Sequence, residues 1–226
     1  MKNLPSLLLC LLAGAACAQA QPVSETFDQK PDSAKWNVSP QAKVLDGELV
    51  LNASGPTDGF PTVAVMSKSG DAALNFTVKP IEIELTGISA GGTTAPANSV
   101  FMAILAADMA NEMRARSYLK IRLSADGTLL LNCSDIGGDR SRETALANFK
   151  VTPPVRRLTL RLSGENFQIK GADAVRPFEQ SGSWAGKLDL AAWEGAKPFL
   201  TIKGVRRPGE GDAVVKLGGV TIKAVQ

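Results

Sequence analysis

An acidic pair in the stretch IEIEL has the residue types for acid–base chemistry. Glu82 and Glu84 are two positions apart in a predicted strand, so their side chains point to the same face, about 6–7 Å apart along the chain. Two carboxylates are sufficient for glycoside hydrolysis, in which one protonates the leaving oxygen and the other acts as base or nucleophile. The pair therefore suggests a diverged glycoside hydrolase; the alternative is the hydrated side of a strand whose Ile81, Ile83 and Leu85 are buried.

Other catalytic arrangements are excluded by residue types that the chain lacks. Its 226 residues include no histidine, which excludes Ser-His-Asp and Cys-His hydrolysis and removes the commonest zinc ligand. Cys133 has no basic partner of that kind, so it is a poor candidate for a nucleophile. The stretch SAGGTT lacks the lysine and the strand-to-helix context of a phosphate-binding loop. We therefore predict no catalytic residues and expect that the protein is not an enzyme.

A metal site is a further possibility, in the segment SDIGGDRSRET. Asp135, Asp139 and Glu143 cluster there in a glycine-containing turn, with Asp126 nearby in the sequence. Calcium binds about six to eight oxygen ligands, and this turn supplies only part of such a set. Arginines alternate with the acids, so local ion pairs are the simpler interpretation. We predict no metal and no cofactor, with calcium as the alternative.

A polar strand face is the first candidate for ligand binding. In YLKIRLSADGTLLLNCS, the alternation places Tyr118, Lys120, Arg122 and Asn132 on one face of a hairpin, opposite its buried leucines. Sugars are usually bound by exposed aromatic rings together with planar polar groups. Trp184, in SGSWAG, is expected to be exposed because small residues flank it, and it completes the predicted ligand-binding set. The alternative is an ordinary hydrated strand face.

These residues are positioned by a chain that has the pattern of β-strands almost throughout. Alternating apolar residues predict three hairpins, in KVLDGELVLNASG, YLKIRLSADGTLLLNCS and RRLTLRLSGENFQIKG, and further strands such as 73–78. Glycines and prolines separate the strands, and helix signals are weak: LAADMANEMRARS, 105–117, predicts one or two turns that join strands, and DLAAWEG predicts another single turn. We predict an all-β fold, a two-sheet antiparallel β-sandwich of the jelly-roll type. The third hairpin is interpreted as scaffold, because its leucines are expected to be buried.

The N-terminus has the organisation of a secretory signal peptide. A basic residue precedes an apolar run, and the tripeptide AQA supplies the small residues of a cleavage site. We predict a signal peptide over residues 1–20, a single β-sandwich domain over 21–226, and a secreted or periplasmic protein with no transmembrane segment after cleavage. A lipoprotein anchored through Cys17 is the alternative, although Gly14 stands where a lipobox usually has a large aliphatic residue.

The start of the predicted mature chain, ETFDQKPDSAKWNV followed by AKVLDGELVLNAS, resembles the opening of concanavalin A-like lectin/glucanase domains, including laminin-G-like jelly rolls. A Phe-Asp pair, a tryptophan and a Gly-x-Leu hairpin carry the match: Phe27, Asp28, Trp36, Gly47, Leu49 and Leu51. The resemblance implies two sheets packed face to face, a ligand on the concave sheet, and a buried Trp36. Laminarinase-type enzymes of this fold carry Glu-x-Asp-x-(x)-Glu on one strand, whereas here the pattern ends after Glu84. The resemblance therefore implies a non-catalytic member.

The functional expectation combines the resemblance with the missing catalytic groups. We expect an exported, non-catalytic protein that binds carbohydrate or another extracytoplasmic partner, such as a cell-envelope component. The alternatives are a diverged glycoside hydrolase using Glu82 and Glu84, and a structural envelope protein with no small ligand. The 25 basic and 22 acidic residues are close to balance, which gives no reason to expect a nucleic-acid partner.

Overall fold

Two antiparallel β-sheets packed face to face form the protein, as predicted. The computed structural model describes residues 23–56, 58–91, 98–110, 115–134, 143–209 and 211–225. The predicted signal peptide lies outside these ranges. Among the described residues, no helix is long and apolar enough to cross a membrane.

Sixteen strands make up the two sheets within the described residues, and they are numbered in chain order. Their bounds are β1 Val23–Glu25, β2 Trp36–Val38, β3 Ala42–Leu45, β4 Glu48–Ala53, β5 Thr62–Ser67, β6 Ile81–Ala90, β7 Ser99–Ala106, β8 Tyr118–Ser124, β9 Thr128–Ser134, β10 Glu143–Lys150, β11 Val155–Ser163, β12 Asn166–Ala172, β13 Pro177–Ser183, β14 Phe199–Arg206, β15 Ala213–Leu217 and β16 Gly219–Ala224. Two short 3-10 turns, Ala72–Leu74 and Leu190–Trp193, lie between strands.

The strand order divides the described chain into a nine-stranded and a seven-stranded sheet. The nine-stranded sheet follows the path β13-β12-β11-β6-β15-β4-β3, with β16 paired to β6 and β1 paired to β16. The seven-stranded sheet follows the path β10-β9-β8-β7-β14-β5-β2. The three predicted hairpins are confirmed as β3–β4, β8–β9 and β11–β12. In the first of them, Asp46 and Gly47 turn the chain with φ values of 52° and 75°, the left-handed conformation that tight hairpin turns require.

The predicted strand over 73–78 is wrong, because this segment begins with a capped 3-10 turn. The Asp71 carboxylate accepts a hydrogen bond of 2.8 Å from a backbone N–H of the turn Ala72–Leu74. Such a side chain offers the backbone a local partner and thereby competes with strand pairing. The single turn predicted in DLAAWEG is confirmed as Leu190–Trp193, which Asp189 caps in the same way.

Rows of apolar side chains from the inner faces of both sheets meet in the core. Leu158, Leu160 and Leu162 of the third hairpin are at most 2% exposed, which confirms that they are buried. Burying one leucine contributes about 1.5–3 kcal/mol relative to leaving it exposed. Cys133 is also buried.

Trp184 is fully buried, so the prediction that it is exposed is wrong. Its indole stacks on Phe167 with ring centroids 5.9 Å apart and meets Phe76 edge-on at 5.3 Å. A Cβ atom at Gly182 would lie only 2.7 Å from the Phe167 ring. The small residues near Trp184 therefore leave room for aromatic packing instead of exposing the indole. Trp36 is buried, as the resemblance implies.

Candidate functional site

A carboxylate held by three donors lies on the outer face of the seven-stranded sheet. Tyr118 Oη donates a hydrogen bond of 2.8 Å to Glu143 Oε1, and Asn132 Nδ2 donates one of 2.8 Å to Glu143 Oε2. The Lys120 ammonium group forms an ion pair with Glu143 Oε1. We refer to Tyr118, Lys120, Asn132 and Glu143 as the Glu143 cluster.

Strand register brings this cluster together from three adjacent strands. Tyr118 and Lys120 alternate with core residues in β8, so both side chains point outward. Lys120 is paired with Asn132 in the β8–β9 ladder, and Glu143 begins the next strand, β10. Arg122 lies on the same face of β8, and in the sheet it is paired with outward-facing residues of the two neighbouring strands, β7 and β9. The prediction that Tyr118, Lys120, Arg122 and Asn132 share one face is therefore confirmed.

Glu143 was missed as the centre of this group, because the sequence suggested a calcium-binding turn that included it. Asp135 and Asp139, the other acids of that turn, lie outside the described residues. Glu143 itself is the first residue of a strand and binds an ammonium group. The sequence did contain one indication of such a residue. Three hydrogen-bond donors on one predicted strand face need an acceptor, which a neighbouring strand can supply. Among the described residues, no group of three or more His, Cys, Asp and Glu side chains is placed to hold a metal ion.

The cluster is recessed although it faces away from the core. Lys120 is only 8% exposed and Asn132 only 6%. Part of the connection between β7 and β8 packs over this face, where Ala115 joins Ile104 and Tyr118 in a small apolar group. Water is therefore largely excluded from the donors, which strengthens their electrostatic effect on the carboxylate.

The Glu143 carboxylate is held in its ionised form. Burial alone would raise its pKa, but the hydrogen bond and charge of Lys120, together with the hydrogen bonds from Asn132 and Tyr118, outweigh burial and lower the pKa below its ordinary value. Asn132 Oδ1 is buried and has no hydrogen-bond partner among the described residues. The Glu143 side chain is 24% exposed, which gives a ligand access to the cluster.

Arg122 extends the positive charge of the face beyond the Glu143 cluster. Its Nε donates to Ser124 Oγ at 3.4 Å, and its side chain is half-buried. Burial is the main cause that lowers the pKa of Arg122, and the charge of Arg207 lowers it further, against the opposing effect of two carboxylates. Arg207, whose backbone N–H donates to Asn98 O just before β7, therefore adds positive charge at this end of the sheet.

Glu82 and Glu84 lie on the outer face of the other sheet. Both point outward from β6, which confirms that they share one face. Lys223 Nζ lies 2.9 Å from Glu82 Oε1, and Arg157 forms an ion pair with Glu84. An open depression of about 520 Å³ beside this pair is lined in part by Arg157. The two carboxylates therefore lie on one face as predicted, and each forms an ion pair with a basic side chain from a neighbouring strand.

Solved structures of several carbohydrate-active proteins have the same architecture. No family model and no curated protein matches the sequence. An endo-acting O-glycanase from the human gut microbiota gives a TM-score of 0.61 at 12% identity, over 90% of this chain and 99% of that one. Alginate lyase A1-II′, of polysaccharide lyase family 7, gives a TM-score of 0.58 at 12% identity, and the match covers 85% of this chain and 96% of the lyase chain. A β-1,3-glucanase from Mycobacterium marinum gives a TM-score of 0.55 at 14% identity, and the match covers 88% of this chain and 97% of the glucanase chain.

These similarities establish the fold as the concanavalin A-like jelly roll and confirm the resemblance seen in the sequence. The expectation that the chain is not an enzyme is wrong, because the solved structures that share its fold are mostly glycan-degrading enzymes. The expectation rested on the absence of histidine, of a partner for Cys133, of a phosphate-binding loop and of a third carboxylate on one strand. Tyrosine, lysine and glutamate side chains from different strands can also transfer protons once they are brought together.

Proposed function

We propose that the protein is a glycan-degrading enzyme whose active site is the Glu143 cluster. The observation that carries this proposal is the recessed hydrogen bond from Tyr118 to Glu143, with Lys120 on the same carboxylate. A titratable group with a perturbed pKa, held in a recess by specific partners, is typical of catalytic sites. The glycan-degrading enzymes that share the fold support the substrate class. Because a signal peptide is predicted, we also propose that the enzyme acts outside the cytoplasm.

The composition of the face favours elimination over hydrolysis. Hydrolysis by the usual route needs two carboxylates about 5–9.5 Å apart, whereas the seven described strands of this sheet contain one acidic residue, Glu143. A polysaccharide of uronic acids can instead be cleaved by removing the proton from the carbon next to the sugar carboxyl group. That C–H bond breaks, a C=C bond forms, and the glycosidic C–O bond on the adjacent carbon breaks.

Tyr118 is the proton-transfer residue in this reaction. Glu143 stays ionised and positions the Tyr118 hydroxyl and the Lys120 ammonium group. Tyr118 acts as its phenolate, whose proton has been released to solvent, and it takes the proton from the sugar carbon. The hydroxyl that is formed protonates the departing glycosidic oxygen, which regenerates the phenolate. Lys120 stabilises the negative charge that develops on the phenolate and the substrate. Asn132 holds the Glu143 carboxylate in position, and the proton balance closes without a further reactant.

A glycoside hydrolase that uses Glu82 and Glu84 is the second candidate. The open depression beside the Arg157–Glu84 ion pair supports it, since a sugar chain needs such space next to the acids. Hydrolysis adds water across the glycosidic bond and produces a new reducing end without a double bond. The two candidates therefore differ in both their residues and their products.

The test is a comparison of products and variants on a panel of polysaccharides. The protein without residues 1–20 is incubated with polygalacturonate, alginate, laminarin, lichenan and mucin. We expect an acidic polysaccharide to yield a product with the ultraviolet absorbance of a conjugated double bond, and Glu143→Gln to lower the rate about 100-fold or more. The matched control is Glu84→Gln, which removes the same charge from an ion-paired carboxylate on the other sheet and should retain the rate.

Two outcomes would reject the proposal. Full activity in Glu143→Gln with loss of activity in Glu84→Gln would move the active site to the nine-stranded sheet. A folded protein that leaves every polysaccharide of the panel intact would remove the support for an enzyme.

A further inference from the structure

We infer that one row of side chains on the outer face of the seven-stranded sheet recognises the anionic groups of an acidic glycan: Lys203, Met102, Arg122, Leu130 and Asn148. The inference rests on the proposed function and specifies the substrate class of that site. The row lies beside the Glu143 cluster, because Arg122 follows Lys120 by two positions in β8. A sugar chain bound along the row would therefore present a neighbouring sugar to the cluster.

Strand register fixes the members of the row. Lys203 of β14 is paired with Met102 of β7, and Met102 is paired with Arg122 of β8. Arg122 is paired in turn with Leu130 of β9, and Leu130 with Asn148 of β10. Adjacent strands are about 4.8 Å apart, so the two cationic positions are about 10 Å apart across the sheet. Side chains at paired positions stand side by side on the same face.

The row is the accessible part of this face and has the chemical pattern of a sugar-binding surface. Met102, Arg122, Leu130 and Lys203 are half-buried and Asn148 is exposed, whereas most of the Glu143 cluster is recessed. Apolar side chains alternate with charged ones along the row. A sugar ring has an apolar CH face and polar edges, so the apolar positions suit the ring and the charged positions suit its substituents.

The charge of the sheet points to an anionic ligand. Its seven described strands contain five basic residues and the single acid Glu143. Lys120 is ion-paired with Glu143, Lys150 lies 3.6 Å from Asp126, and Arg206 is buried. The row itself contributes two basic residues, Arg122 and Lys203, and no acid. The nine-stranded sheet is different: its described strands mix seven basic residues with five acids, several of them in ion pairs.

A second cation lies at the end of the row. Arg207 follows the end of β14, where its backbone N–H donates to Asn98 O just before β7, and Arg122 Nε donates to Ser124 Oγ at the same end of β8. Their positive charges repel each other, whereas an oxyanion that contacts both guanidinium groups forms charge-assisted hydrogen bonds with both. A uronate carboxylate and a sulfate ester share this chemistry. Because elimination at the Glu143 cluster requires a sugar carboxyl group, we expect the carboxylated glycan to bind more tightly.

Binding measurements separate these possibilities. Titration calorimetry is performed in the Glu143→Gln background, in which cleavage is expected to be about 100-fold slower or more. The probes are polygalacturonate, dextran sulfate and neutral laminarin. We expect polygalacturonate to bind most tightly and added salt to weaken the binding. Arg122→Gln and Arg207→Gln should each reduce its affinity about tenfold. Arg207 is exposed, so its variant tests the inference even if the half-buried Arg122 variant folds poorly.

The control is Arg156→Gln, which removes the same charge from an exposed position on the nine-stranded sheet and should change the affinity less than about twofold. Equal binding of polygalacturonate and laminarin, tighter binding of dextran sulfate, or equal losses in all three arginine variants would each overturn the inference. Failure of the proposed function looks different: polygalacturonate would bind through Arg122 and remain uncleaved by the wild-type protein. Conversely, Glu143-dependent cleavage of neutral laminarin alone would reject the inference and keep the enzyme.

Discussion

The Tyr118 hydroxyl donates a 2.8 Å hydrogen bond to the Glu143 carboxylate although the two residues are 25 positions apart in the chain. They belong to β8 and β10, with β9 between them. The intervening position is Ser134, which pairs with Glu143 and accepts a hydrogen bond from the Tyr118 backbone N–H at 3.0 Å. Its small side chain leaves space for the phenol ring to reach across the strand. The contact on which the proposed chemistry depends is therefore produced by non-local strand pairing.

Tyr118→Phe removes only the hydroxyl group that is proposed to transfer the proton. We expect the rate of glycan cleavage to fall about 100-fold or more, while the free energy of unfolding falls by about 1 kcal/mol, the usual value of one hydrogen bond. Steady-state kinetics and urea unfolding on the same preparation measure the two effects. A Phe variant with unchanged turnover would remove Tyr118 from the mechanism.

Lys120→Met and Glu143→Gln should not have additive effects on stability. Either change leaves a largely buried polar group without its main partner, whereas the double variant removes both. We expect the double variant to be about 0.5–3 kcal/mol more stable than the sum of the single changes predicts, measured by urea unfolding. The same cycle on Lys223 and Glu82, an ion pair whose lysine is half-exposed, should give about 0–1 kcal/mol. Equal couplings for the two pairs would contradict the special environment of the Glu143 cluster.

The stability of the fold should depend on pH through Glu143. Because the pKa of Glu143 is lower in the folded protein than its ordinary value of 4.5, its ionised form stabilises the fold above that value. This contribution is lost as the pH falls through the folded-state pKa. The difference in unfolding free energy between wild type and Glu143→Gln should therefore be larger at about pH 7 than at about pH 3. A difference that grows on acidification would mean that the pKa is raised instead.

Trp184 should matter for folding and not for glycan contact. Trp184→Ala removes a fully buried indole and should lower the free energy of unfolding by about 3–5 kcal/mol. Trp184→Phe keeps part of the packing against Phe76 and Phe167, so it should fold and retain the wild-type affinity for polygalacturonate. Calorimetric binding and thermal unfolding check both statements. A folded Phe variant with weakened binding would show that the indole takes part in recognition.

Much of the architecture follows from local pattern. Alternation assigned Leu119 and Tyr118 to opposite faces, and the Asp46-Gly47 turn fixed the register of its hairpin. The two local errors arose where a side chain competes with the general pattern. Asp71 caps a 3-10 turn in place of a strand, and the small neighbours of Trp184 make space for packing.

The candidate site was predicted only in part, because its centre depends on contacts between distant segments. Tyr118, Lys120 and Asn132 were placed on one face by alternation and by a single hairpin. Their acceptor comes from β10, and its position depends on which strand follows β9 in the sheet. The sequence around Glu143 shows acids alternating with arginines, and it gives no local indication that this glutamate pairs with a lysine of another strand.

The most direct test is a crystal structure of the Glu143→Gln variant with a short oligogalacturonate. We expect the oligosaccharide on the outer face of the seven-stranded sheet, with a sugar carboxylate beside Arg122 and the adjacent sugar carbon next to the Tyr118 hydroxyl. An oligosaccharide seated beside Glu82 and Glu84 on the nine-stranded sheet would contradict this expectation.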